Sequence, residues 1–145
     1  MKLTKQQEKN AMMAYNAYWD NYLKGDVETM ASLLSNKYTQ VGSAETEVFF
    51  NKKDAVKFLY DTIDQVAGKL EMRNRIIKLE KQSNFLLFHE LCDVYALAES
   101  EWIFYSKFRA TTIMEKKKHG WKIIHQHSSF PDARTGEGEN IAIDK

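Results

Sequence analysis

Apolar positions change their period once along this chain. Up to about Val66 they recur at helical spacing with one short interruption, and from Lys69 to Phe130 they alternate. Thr4 followed by Gln7 predicts a capping box that opens the first helix. Met12, Tyr15, Trp19, Tyr22 and Leu23 then form one aromatic stripe, closed by Lys24 and Gly25. Asp26 predicts the cap of a second, shorter helix running to about Leu34. Tyr38-Thr39-Gln40-Val41 alternates and predicts a short strand that Gly42-Ser43 ends. The stretch from Ala44 to Phe50 reads as a loop with a brief strand, delivering Phe49 and Phe50 to the core. Asn51 and Asp54 cap a third helix whose inward face is Ala55, Phe58, Leu59, Thr62, Ile63 and Val66.

Beyond Gly68 the alternation predicts four long strands over residues 70–81, 85–98, 101–117 and 121–130. Their connectors are short enough for hairpins, which makes the sheet antiparallel. The last strand, from Gly120 to Ser129, carries apolar and polar groups on both faces and is expected at the centre of the sheet. Strict alternation puts Trp121, Ile123, His125, His127 and Ser129 on one face and Ile124, Gln126 and Ser128 on the other. Helices first and a meander afterwards is an α+β layout: three N-terminal helices packed on a curved antiparallel sheet of about four long strands plus short N-terminal strands, forming a cone with one open end. The domain is placed at 1–131, and 132–145 is expected to be a polar tail or a truncated linker.

Composition narrows the function classes. In 145 residues, a hydrophobic share of 43% and a charged share of 28% fit one soluble domain with a real core. A net charge of +1 supplies no field to draw nucleic acid or an anionic membrane, so neither is expected as a partner. Lys116, Lys117 and Lys118 could form a phosphate clamp or a solvated hairpin tip, and the flanking strands and Gly120 favour the tip. Cys92, the single cysteine, lies in an apolar run and reads as a buried, inert thiol. No signal peptide or membrane-length apolar run is visible, and a cytoplasmic protein is expected.

Trp19, Gly25-Asp26, Leu33-Leu34, Tyr38, the Phe49-Phe50 pair before a helix and the ending Gly120-Trp121-Lys122-Ile123-Ile124-His125-Gln126-His127-Ser128-Ser129 together resemble a SnoaL-like domain of the nuclear transport factor 2-like superfamily. The ending is also similar to the association domain of calcium/calmodulin-dependent kinase II. The resemblance covers residues 5–131 and implies a cone-shaped fold around a pocket. It leaves activity open, because isomerases, dehydratases, cyclases, assembly modules and ligand-sensing domains share that fold. The catalytic aspartate, or aspartate–histidine pair, of the enzymatic members has no convincing equivalent. The pocket arginines of the association domain fall at Thr112 and Ser128, so that pocket's electrostatics do not carry over.

His125 and His127 share a face at a spacing that zinc sites use, but their cross-strand partners become Ile113 and Thr111, so no metal is expected. The same register sets Thr112 beside Gln126 and Ala110 beside Ser128. If that face is concave, Gln126 and Ser128 line the cavity and the histidines are convex; the opposite assignment puts His125 and His127 in the pocket. Glu71, Arg73 and Arg75 alternate beside His89, Glu90, Lys107 and Arg109, either as an exposed charge ladder or as a source of one pocket group: Arg75, Glu90 or Arg109. The candidate ligand-binding set is therefore Tyr15, Trp19, Tyr38, Phe50, Phe58, Arg75, Glu90, Thr112, Gln126 and Ser128, with Arg109, His125 and His127 convex or in the alternative pocket.

Three functions follow. The favoured one is a small-molecule-binding module, sensing or accessory, with no cofactor. The alternatives are a cofactor-independent isomerase, dehydratase or cyclase using a pocket histidine or carboxylate as proton shuttle, and a homo-oligomeric assembly module. A homodimer is expected through a convex face carrying Trp121, Ile123 and His125.

Overall fold

The computed structural model describes residues 3–132, so the tail expected at 132–145 falls, Asp132 aside, outside the described residues. Helix α1 spans Lys5–Lys24, α2 Val27–Ser32 and α3 Lys52–Thr62, the last continued by a 3-10 turn at Ile63–Gln65. Strands are β1 Leu34–Val41, β2 Val48–Phe49, β3 Leu70–Gln82, β4 Phe85–Ala98, β5 Glu101–Lys117 and β6 Gly120–Ser129. Their order in the sheet is β2-β1-β6-β5-β4-β3. The four long strands form the expected antiparallel meander, and β1 adds parallel to β6, which makes the curved sheet mixed. This is the α+β fold predicted, with β6 inside the sheet.

Both ends of α1 are chemically specified. Thr4 Oγ1 accepts from Gln7 N at 3.1 Å and Thr4 N donates to Gln7 Oε1 at 2.9 Å. Gly25 ends the helix at φ 88°, where an added Cβ would also stand 2.6 Å from Ala67 Cβ. Only glycine meets both demands without strain. The helix buries Ala11, Tyr15, Tyr18 and Trp19 against the inner face of the sheet. Tyr15 stacks on Phe88 with centroids 4.4 Å apart. Burial of each such aromatic contributes on the order of 2–3 kcal/mol.

The register slips at four places in the sheet, and two of these slips decide which side chains of β3 and β6 face inward. Pairing between β3 and β4 slips between Arg73 and Ile76, where Asn74 takes φ 53°. Glu71 and Arg73 therefore stay on the outer face, paired at 2.7 Å with Arg73 over the Tyr95 ring, while Arg75 turns towards the buried Glu90. Pairing between β5 and β6 slips between Ile113 and Met114, with Ile124 the extra residue. Ile123, fully buried opposite Met114, and the partly buried Trp121 pack into the core, whereas His125 and His127 lie on the other face. The dimer face expected to carry Trp121 and Ile123 thus loses Ile123, which is fully buried, while Trp121 is half-buried against the core. The register expected for the far half of β6 nonetheless holds, with His125 opposite Ile113 and His127 opposite Thr111. A two-residue hairpin and the bulge together give the offset that a three-residue turn would have given.

Candidate functional site

Most of the cone is filled. Tyr15, Tyr38, Phe88, Met114 and Thr112 are 0% exposed and close its inner end. A cavity of about 90 Å³ remains near the mouth, between the second half of α1, α3, the loop at 42–47 and the inner face of the sheet. That is roughly the share of liquid volume taken by three waters. Rings of Tyr18, Trp19, Tyr22, Phe58, Phe108 and Phe130 stand on its wall. Trp19 meets Phe108 edge-on at 5.6 Å and Tyr22 edge-on at 5.8 Å, so the wall is a mutually braced aromatic cluster.

Polar groups enter from one side. Tyr38 and Gln40 point inward from β1, and the parallel pairing sets Gln40 beside Gln126 of β6. Tyr38 Oη donates to Gln40 Oε1 at 2.6 Å and lies 3.4 Å from Gln126 Oε1. Gln40 Nε2 in turn donates to Glu47 Oε2 at 2.7 Å. Glu47 arrives on the loop that Gly42 N closes by donating to Glu47 O at 2.7 Å. A Cβ on Gly42 would overlap Glu47 Oε2, so the glycine clears the space in which the carboxyl rests. Burial raises the Glu47 carboxyl above its usual range, against the opposing pull of the Gln40 hydrogen bond. Burial also pushes the Tyr22 hydroxyl up to about 12, and Tyr18 and Tyr38 above the ordinary phenol range. Among the described residues Glu47 is the only charged one on the wall. Gln126 Nε2 and Trp19 Nε1 are buried without a hydrogen-bond partner.

Arg75 and Glu90, expected near a ligand, form a separate buried assembly. Arg75 Nε donates to Glu90 Oε2 at 2.5 Å and Nη2 to Oε1 at 2.9 Å, while Tyr15 Oη donates to Oε1 at 2.5 Å. These charge-assisted bonds tie α1 to the sheet.

The sequence profile of the SnoaL-like domain matches residues 12–133, from the first turns of α1 past the end of β6. The chain belongs to the SnoaL-like domain family. Solved structures with the same fold include a nuclear transport factor 2-like protein of unknown function from Pseudomonas putida, 15% identical, with TM-score 0.77 over 94% of this chain and 95% of that one. Another is named as a candidate dehydratase of the nuclear transport factor 2-like family from Streptomyces avermitilis, 14% identical, TM-score 0.75, covering 90% and 100%. A third is named as a candidate calcium/calmodulin-dependent protein kinase type II association domain from Thiobacillus denitrificans, 11% identical, TM-score 0.69, covering 82% and 93%. At these identities the likeness is one of fold. No curated protein matches the chain significantly.

Within this SnoaL-like domain the structure divides the expected site residues into five groups. Trp19, Phe58, Gln126 and Ser128 line the cavity. Tyr15, Tyr38 and Thr112 are core, and Arg75 and Glu90 belong to the buried ion pair. Phe50 is 84% exposed and touches no pocket, because the two-residue β2 turns only Phe49 inward, against Phe58 at 5.1 Å. Arg109, His125 and His127 lie on the outer side. Arg109 Nη2 donates to Ser129 Oγ at 3.1 Å, His125 Nδ1 meets Thr39 Oγ1 at 2.8 Å, and His127 borders an open outer groove with His89 and Arg109. Burial lowers the His125 pKa. Among the described residues no group of His, Cys, Asp or Glu could hold a metal ion, and no helix is long and apolar enough to cross a membrane.

Sequence reasoning missed Glu47, Gln40, Tyr18, Phe108 and Phe130, and placed Tyr22 in the aromatic stripe without singling it out for the pocket. Gln40 was findable, since it shares an inward face with Tyr38. Glu47 was not, because nothing in a loop sequence says which of Glu45 and Glu47 folds back over Gly42.

Proposed function

We propose that this SnoaL-like domain binds a small, partly apolar molecule in the aromatic cavity beside Glu47, in the cytoplasm, as a sensing or accessory module. The observation that carries the reading is polar groups left over inside an otherwise apolar, enclosed wall. Gln126 is 5% exposed with its Nε2 unpartnered, and Glu47 faces no cation. Buried polar groups in folded proteins are normally satisfied, so unsatisfied ones beside a cavity indicate that something else completes them. Amide NMR of the labelled protein against a fragment library tests this. Shifts at Trp19, Gln126 and Phe108 that vanish in Val94→Phe, a wall residue enlarged into the space, are expected. Shifts scattered over the outer face, or unchanged by Val94→Phe, contradict it.

The second reading is catalysis without a cofactor, and Glu47 favours it. A carboxyl whose pKa is raised by burial is better suited to taking and returning a proton than an ordinary surface carboxylate. One structural relative is named as a candidate dehydratase. Proton exchange at the α-carbon of small ketones, present in the wild type and absent in Glu47→Gln, supports this reading; equal exchange in both removes it.

Self-association is the accompanying proposal, with a face other than the one expected. Ile76, Leu91 and the run Trp102-Ile103-Phe104-Tyr105 are all exposed, between 36% and 66%. Four consecutive exposed apolar side chains at a hairpin form an unusual surface for an isolated domain.

A further inference from the structure

We infer that the molecule taken by the cavity is a small organic cation, an alkylammonium held by the Glu47 carboxylate within the aromatic wall. This rests on the cavity being a binding site and adds the charge of what it binds. Three observations carry it. Among the described residues Glu47 is the only charged side chain on the wall, its Oε2 takes a hydrogen bond from one neutral donor, Gln40 Nε2, and no described lysine or arginine lines the space. An anion entering would meet a like charge with no compensating cation, so anions are excluded. Six aromatic side chains stand on the same wall, and aromatic faces attract cations, most of all where water is displaced. The size agrees: about 90 Å³ is less than the roughly 150 Å³ of a cavity that takes benzene, and leaves room for about five heavy atoms.

The unpartnered Gln126 Nε2 points to a competing class, a neutral molecule recognised only through an oxygen. Glu47 tips the choice to the cation, because a carboxylate holds an ammonium by a charge-assisted hydrogen bond, stronger than one between neutral groups. An ammonium that also carries a hydroxyl would satisfy both groups. Binding such a cation requires Glu47 to be ionised, so affinity rises as pH rises through its elevated titration range. The other titratable groups on the wall are Tyr18 and Tyr22 of α1, both held neutral by burial. From α3 come Phe58, Leu59 and Thr62, and from the strands Gln40, Val94, Phe108, Gln126 and Ser128, none of which titrates.

Two five-heavy-atom probes of one shape separate the cases: tert-butylammonium and tert-butanol, titrated calorimetrically and by NMR at pH 5, 7 and 9. The expected result is a preference for the cation of about tenfold or more at pH 9, shrinking towards pH 5. Glu47→Gln should erase the preference while tert-butanol binding stays. If tert-butanol binds as tightly as tert-butylammonium, or the preference ignores pH, the inference falls while the cavity remains a binding site. If neither probe shifts the cavity resonances at any pH, both fall.

Discussion

Replacing Arg75 by methionine should destabilise the fold more than its edge position implies. Its partner Glu90 has a side chain that is 0% exposed, while the Arg75 side chain is 22% exposed. The guanidinium makes both of its bonds to that one carboxylate, and Tyr15 Oη supplies a third. Arg75→Met leaves the carboxylate buried with one neutral donor, a loss of about 3–5 kcal/mol in comparable broken pairs. Tyr15→Phe removes one charge-assisted bond and should cost about 1.5–3 kcal/mol. The double variant Arg75→Met/Glu90→Met replaces the pair by apolar groups of similar volume and should recover most of the loss. Urea unfolding at pH 7 for the wild type and each variant gives the values by linear extrapolation. Against a typical domain stability of about 5–15 kcal/mol, the single-variant loss is easily resolved. Arg75→Met within about 1 kcal/mol of wild type, or a double variant worse than the single, would refute the reasoning. The effect should reach the cavity, because Tyr15 and Trp19 lie one turn apart on the same face of α1.

Three further outcomes are expected. The Glu47 carboxyl titrates higher folded than unfolded, so the folded state binds more protons and loses stability as pH rises from the unfolded value through the raised one. Urea curves for Glu47→Gln should lack that slope, making the variant gain on wild type with rising pH; a constant difference across pH counts against a buried carboxyl. Gly42→Ala should displace the Glu47 side chain without removing it, reproducing the ligand phenotype of Glu47→Gln with little change in urea midpoint, whereas unaltered ligand binding would mean that the carboxyl has no fixed place. Cys92, 1% exposed with its thiol pushed up to about 12, should resist a disulfide reagent in the native state at pH 8 and react on unfolding. Rapid native labelling would show that β4 opens.

The element map was legible because caps, glycine turns and periodicity agree: the three caps at Thr4, Asp26 and Asn51 each carry the side-chain bond their sequence implies. The faces of the strands were less so. A bulge moves every later side chain to the other face, and alternation alone does not reveal one. Asn74 gave a faint signal, as a residue tolerant of positive φ amid strand formers. Ile124 gave none, being a good strand residue on both sides of the slip. Half of the site was legible for the same reason. Gln126 and Ser128 followed from the hairpin register, whereas Glu47 depends on how a loop folds over Gly42, a contact between residues whose spacing carries no period. Packing was the other loss. Tyr15, Tyr38 and Thr112 face inward as expected, but they fill the cone rather than line its hollow, and volume is not written in alternation.

The binding account is tested most directly by a high-resolution crystal structure of the purified protein soaked in tert-butylammonium at pH 9. Density for the five-atom cation within ion-pair distance of Glu47, enclosed by Trp19, Phe108 and Phe130 with the fold unchanged, is the predicted result. A chain of ordered waters in that space, with the soaked cation absent or scattered over the outer face, would contradict it.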